Sequence, residues 1–276
     1  MIEFTKMNGS GNDFIVIDNR QGFLAPVVED MVAFVQRVCE RKVSVGADGL
    51  IVIEPSDKAD FKWRFFNADG SEAEMCGNGG RCAARFAQLV GIAGKQVSFE
   101  TVVGIIDAEV HGAVVKLRLT DPHSLVSDEE IRIGNQKLSV HSINTGVPHV
   151  ICFVRNTDEF DVFATGRAIR CHERYLPAGT NANFVSVVDG RTLRVRTYER
   201  GVEDETLACG TGSVASALIA AQKGYVESPV DVMVRSGEIL RIHFSKTPRG
   251  FEKVYLEGKT KVVYQGKLWD EAWKRE

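Results

Sequence analysis

A cysteine followed by a Gly-polar-Gly turn that opens an apolar helical stretch occurs twice in this chain, and that doubling constrains the fold most. "EMCGNGGRC" runs from Glu74 to Cys82 and "LACGTGSVA" from Leu207 to Ala215. The cysteines are not the only matched features. Gly179, which opens "GTNANFVSVV", lies as far beyond Gly46, which opens "GADGLIVIE", as Cys209 lies beyond Cys76. Upstream, "GVPHVICFV" from Gly146 loosely echoes "GNDFIVID" from Gly11, offset by two residues more. Three motifs in one order at nearly one spacing predict duplicated lobes. The boundary is expected near Thr120–Ser127, where "TDPHSLVS" breaks the strand pattern.

Strand-like runs rich in Val, Ile, Phe and Thr dominate: "NDFIVIDN", "DGLIVIEP", "FKWRFFN", "VSFETVVGIIDAEV", "AVVKLRLTD", "HVICFV", "NFVSVV", "TLRVRTYE" and "EKVYLEG". Helices are predicted over Glu29–Lys42, Asp161–His172, Asn78–Leu89 and Gly212–Lys223, the last with Gly224 just past its end. The helix after Cys209 is apolar almost all round, so other structure must enclose it. The helix after Cys76 is small-residue apart from Arg81, Arg85 and Gln88, read as a solvated or interlobe stripe. The expected fold is α+β, with two pseudo-symmetric lobes, each a mixed β-sheet curled around a central α-helix.

Composition narrows the function classes. The 276 residues carry a formal net charge of −3 and no Lys/Arg run, which speaks against a nucleic-acid or anionic-membrane surface. The start shows no signal-peptide pattern and no apolar run reaches membrane-spanning length, so a soluble cytoplasmic protein is expected. Six cysteines are too sparse for a disulfide scaffold, and no Cys/His spacing fits zinc, so no metal is expected. Cys39, Cys82 and Cys152 read as core.

Cys76 and Cys209 read differently. A helix N-terminus exposes unpaired N–H groups and carries about half a positive charge, so a cysteine there is stabilised as thiolate. The following glycines let a ligand approach those N–H groups, which can hold a carboxylate. Each motif is therefore a sulfur base beside an anion cradle. If duplicated lobes face each other, two sulfurs flank one small acid, and one can remove a carbon-bound proton while the other delivers one. That inverts a stereocentre without a cofactor.

The residues that carry a family resemblance are now in hand. "NADGSEAEMCGNGGR", Asn67 to Arg81, has the Asn-x-Asp-Gly-Ser-x4-Cys-Gly-Asn-[Gly/Ala]-x-Arg pattern of diaminopimelate epimerases, and "GNDF", "GTNANFV" and "YERGVEDETLACGTG" also resemble that family. The resemblance covers essentially the whole chain. It implies a cofactor-independent epimerase that interconverts LL- and meso-diaminopimelate in bacterial lysine and peptidoglycan synthesis. By the same resemblance Cys76 and Cys209 are catalytic, and Gly77 with Asn78, and Gly210 with Thr211, cradle the reacting carboxylate. Asn12, Asn67, Asn181, Glu199 and Arg200 match substrate-binding positions, His149 and Glu199 match residues that tune the thiols, and Tyr264 matches a homodimer contact. The resemblance also implies an N-terminal lobe over 1–121, joined by a C-terminal segment 266–276, and a C-terminal lobe over 122–265.

Two departures from the family pattern bear on the far end of the substrate. Val147 stands where some members have Asn, and Gly49 where some have Gln. His149 taken alone reads as a structural histidine. The competing reading is a proline racemase-type enzyme, which shares two-thiol chemistry but typically has His at the position of Asn78. A cysteine hydrolase would leave the second cysteine unexplained.

Overall fold

The computed structural model describes residues 1–73 and 75–274; Glu74 of the first cysteine motif, and the last two residues of the expected C-terminal segment, lie outside the described residues. The architecture is α+β and strand-rich, in two compact units: 1–117 with 258–276, and 118–257.

Unit one opens with the antiparallel pair β1 (Ile2–Gly9) and β2 (Asn12–Asp18). Helix α1 (Met31–Cys39) then crosses to β3 (Gly49–Glu54), which runs parallel to β2. Asp30 caps α1 by accepting from the Ala33 N–H at 3.1 Å. Next come β4 (Phe61–Asn67) and β5 (Glu72–Ala73), each antiparallel to its predecessor. Helix α2 (Gly77–Leu89) leads to β6 (Gln96–Thr101), parallel to β4, and to β7 (Gly104–His111) and β8 (Val114–Arg118) in antiparallel succession.

Unit two follows the same plan. β9 (His123–Ile133) pairs with β10 (Gln136–Asn144), which pairs antiparallel with β11 (Pro148–Phe153). Helix α3 (Val162–Arg170) crosses to β12 (Asn181–Asp189), parallel to β11, and β13 (Thr192–Glu199) and β14 (Asp204–Thr206) follow antiparallel. Helix α4 (Gly210–Gln222) leads to β15 (Val230–Met233), parallel to β13, then β16 (Ile239–Thr247) and β17 (Gly250–Leu268). The last part of β17 belongs to unit one, where it pairs with β1, as β9 pairs with β10. The shared order of parallel and antiparallel pairings extends the repeat seen in three sequence motifs to whole units.

Burial explains the two unusual helices. In α4 every residue from Gly212 to Ala221 is buried, against β10, β11, β12, β13, β15 and β16. Helix α2 packs on β1, β2, β3, β6 and β7. The stripe expected to be solvated or interlobe is instead turned inward within unit one: Arg81 is 0% exposed, and Arg85 donates to the Thr260 carbonyl of β17. By contrast α1 and α3 each bury one face, in clusters built on Phe34, Val35 and Val38, and on Val162 and Ile169. The break expected over 120–127 is shorter than that: residues 119–122 lie between strands, and β9 begins at His123.

Candidate active site

Both cysteines cap their helices. Cys76, in extended backbone, precedes α2, and its sulfur accepts the Gly79 N–H at 3.5 Å. Cys209 precedes α4 in the same conformation and accepts the Gly212 N–H at 3.4 Å. A sulfur in the Ncap position takes one of the four N–H groups that a helix leaves unpaired, and sits at the positive end of its dipole. The Gly77, Asn78, Gly210 and Thr211 N–H groups belong to the same first turns. Core thiols differ: burial pushes Cys39 up to about 12 and Cys152 up to about 11, where neither ionises at neutral pH.

In unit one the structure joins Asn12 and Asn78. Asn78 Nδ2 donates to Asn12 Oδ1 at 2.7 Å, and Asn12 Nδ2 donates to Asp48 Oδ2 at 3.1 Å. Arg81 donates to Asn78 Oδ1 at 2.8 Å and to Ser10 Oγ at 2.6 Å. Because a guanidinium only donates and a carboxylate only accepts, these ends fix which way both amides point. Each oxygen accepts one hydrogen bond, and each amide keeps one N–H beyond these bonds. Asp48 is held by Arg41 at 2.9 Å, and Arg41 also pairs with Asp13 at 2.5 Å. Burial alone would raise Asp13, but hydrogen bonds from Arg41 and Lys6 hold it below its ordinary value. Asn67 ends β4 opposite Gly49, exposed, with its amide on Ser71 Oγ at 3.1 Å. At Gly49 itself a Cβ would meet the Phe66 carbonyl at 2.5 Å and the Phe65 ring at 2.7 Å. Close strand packing therefore accounts for glycine at this position.

Unit two gathers the rest. His149, 1% exposed, places Nε2 3.0 Å from Thr211 Oγ1, which lies 3.6 Å from the Cys209 sulfur. Burial, reinforced by the nearby Arg200 charge, pushes His149 down to about 3, so its ring is neutral at physiological pH. Burial raises the Glu199 carboxyl, opposed by the neighbouring Thr206 and Cys209 side chains. Asn181 donates to the Pro148 carbonyl at 3.1 Å and accepts the Arg200 N–H at 2.8 Å, so it too keeps one N–H. The Arg200 guanidinium reaches the Ala178 carbonyl at 3.1 Å. Tyr264 stands apart from these groups: it is exposed on β17, its ring edge-on to Phe4 with centroids 5.8 Å apart.

Sequence reasoning missed Asp48, Arg81 and Asn183 as supports of these side chains. Asn183 follows Asn181 by two positions on β12, so period-two alternation places it on the same face and was its available signal. Among the described residues no helix is long and apolar enough to cross a membrane, and no group of three or more His, Cys, Asp or Glu could hold a metal.

Solved structures define the fold class first. A Bacillus anthracis phenazine biosynthesis protein of the PhzF family matches at TM-score 0.73 and 17% identity, over 97% of this chain and 99% of its own. A hydroxyproline epimerase from Agrobacterium vitis matches at TM-score 0.72 and 14% identity, over 99% and 96%. The chain thus has the fold shared by PhzF-type proteins and this epimerase. Sequence then narrows the class. A diaminopimelate epimerase family profile matches residues 4–123 and 141–263. The diaminopimelate epimerase of Aquifex aeolicus is 48% identical over 98% of this chain and 99% of its own, and that of Archaeoglobus fulgidus 44% identical over 97% and 96%. The chain belongs to the diaminopimelate epimerase family.

Proposed function

We propose that this chain epimerises diaminopimelate between its LL and meso forms, with Cys76 and Cys209 as the two acid–base groups. The observation that carries the reading is the doubled cap: two sulfurs, each receiving an N–H from the first turn of a 13-residue helix. Family membership supplies the substrate. Inversion needs base and acid on opposite faces of the α-carbon. One sulfur, as thiolate, takes the α-proton; the other, as thiol, returns a proton to the carbanion, and the roles exchange in reverse.

The carbanion is stabilised through its carboxylate, whose oxygens gain charge as the proton leaves. First-turn N–H groups of Gly77, Asn78, Gly210 and Thr211 aim donors at that charge. Asn12, Asn67 and Asn181 bind the substrate's polar ends; Asn12 and Asn181 each keep an N–H donor, which suits a carboxylate. Arg200 serves the distal carboxylate and Glu199 the ammonium. Glu199, half-buried and hydrogen-bonded to Cys209, also shares that thiol's proton, so Cys209 can stand as either acid or base. His149 tunes the same sulfur. Neither pyridoxal phosphate nor a metal is needed in this scheme. The same reading has each sheet curl around its cysteine-capped helix, and a cytoplasmic homodimer with Tyr264 at the contact.

Turnover of LL-diaminopimelate by the purified, reduced protein without pyridoxal phosphate tests the reading, followed as meso product. No inversion by folded protein would refute it. Turnover of proline or hydroxyproline instead would move the chain to the racemase alternative.

A further inference from the structure

We propose that Asn183 is a positioning residue: it fixes the tautomer of His149 and so turns the Thr211 hydroxyl hydrogen onto the Cys209 sulfur. The proposal rests on Cys209 being one of the two acid–base groups. Asn183 is 0% exposed on β12. Its Nδ2 donates to the Val150 carbonyl at 3.0 Å, and a carbonyl only accepts, so that end of the amide is the NH2 group. Its Oδ1 accepts the Thr197 hydroxyl at 2.9 Å. Held at both ends, the amide points its second N–H at His149 Nδ1, 3.1 Å away.

A ring nitrogen that accepts a hydrogen bond carries the lone pair, so in this neutral ring the proton sits on Nε2. Nε2 then donates to Thr211 Oγ1 at 3.0 Å. A hydroxyl has one hydrogen. Because the histidine N–H donates to this oxygen and cannot accept from it, that hydrogen is left for the Cys209 sulfur at 3.6 Å. The other tautomer would reverse the chain, and Thr211 would give its hydrogen to the ring instead. Glu199 and Arg200 are the charged or titratable groups that face this chain, one bonded to Cys209 and one beside His149. The glycine at 212 fits the same arrangement: a Cβ there would lie 2.3 Å from Asn183 Oδ1, so only glycine leaves room for the amide.

The direct test is nitrogen NMR of the full chain labelled with ¹⁵N-histidine at neutral pH, with His149 assigned by the loss of its signals in His149→Gln. A proton on Nε2 is expected; a proton on Nδ1, or on both nitrogens, overturns the proposal. A second measurement reads the sulfur by iodoacetamide alkylation of Cys209, with Cys76 as internal control. Asn183→Asp has no N–H to offer, so Nδ1 takes the proton and Cys209 alkylation should slow about tenfold, the size of one hydrogen bond to a charged group. Thr211→Val should slow it similarly, and Thr211→Ser, which keeps the hydroxyl, should restore it. Unchanged Cys209 alkylation in Thr211→Val overturns the proposal even if Asn183→Asp fails to fold. Neither readout requires substrate, so a negative result here is distinct from failure of the epimerase reading.

Discussion

The two cysteine-capped helices share a backbone and differ in what surrounds it. Each has 13 residues, a cysteine cap in extended conformation, and a glycine N–H on the sulfur. Where α2 has Asn78 and Arg81 as its second and fifth residues, α4 has Thr211 and Val214. Unit one therefore supports its first turn with a charged line running Arg81, Asn78, Asn12, Asp48 and Arg41. Unit two supports its own with the neutral groups His149 and Thr211, and a half-buried carboxyl, Glu199. Both units share the cap, which depends on main-chain geometry. The side chains around it diverged, so the two sulfurs are not equivalent in environment.

The largest expected effect tests whether both caps are needed. Cys76→Ala and Cys209→Ala should each lower kcat for LL-to-meso conversion about a thousandfold or more, the scale of losing a positioned acid or base. If either variant stayed within tenfold of wild type, the two ends would not be partners. Next in size is the charged line of unit one. Arg81→Met leaves Ser10 and Asn78 without a buried donor and should cost about 2–4 kcal/mol in urea unfolding. Val214→Met, at the matching turn of α4, should cost less than that, because no polar partner is stranded.

A smaller effect separates the two third-position glycines. Gly212→Ala places a methyl against Asn183 and should destabilise by about 1–3 kcal/mol, whereas Gly79→Ala meets nothing nearer than the Trp63 ring at 3.4 Å and should change stability by under about 1 kcal/mol. The last contrast is a pH dependence carried by His149 in unit two. His149 protonates near its ordinary value of about 6.5 when unfolded but only near about 3 when folded, so the unfolded chain binds the extra proton between those values. Stability should therefore fall as pH drops through that window, by up to about 1.4 kcal/mol per pH unit. Glu199 acts in the opposite sense above its ordinary range, since the folded form keeps its proton longer. In His149→Gln the acid-side loss should shrink, measured by chemical unfolding at a series of pH values.

Much of this was readable in the chain. The cysteine motifs, the enclosed helices and the strands of fully apolar runs such as "GLIVIE" carry strong local signals, because burial on all sides leaves few polar residues. β1, β15 and β16 were not identified as strands, nor were β9 and β10; in β9 exposed and half-exposed residues alternate among charges, which looks like a loop. Arg81 read as solvated because an arginine on a helix normally is; only β1 and its turn, supplying Ser10, show why it is buried. His149 and Asn183 meet because β11 and β12 run parallel with His149 opposite Asn181, a register no local pattern states. The paired sulfurs were legible because they repeat; Asn12, Asn78, Thr211, His149 and Glu199 were legible only through the family resemblance, and the support from Asp48, Arg81 and Asn183 was not.

The central claim is that the two capped sulfurs divide the work, one taking a proton and the other giving one. Early-time epimerisation of LL-diaminopimelate in deuterium oxide tests it most directly, with recovered substrate and meso product analysed separately for α-deuterium. Meso product carrying solvent deuterium, beside recovered substrate that keeps its α-hydrogen, is the predicted result. Product that retains the original α-hydrogen would mean one group carries the proton across, and would contradict the account.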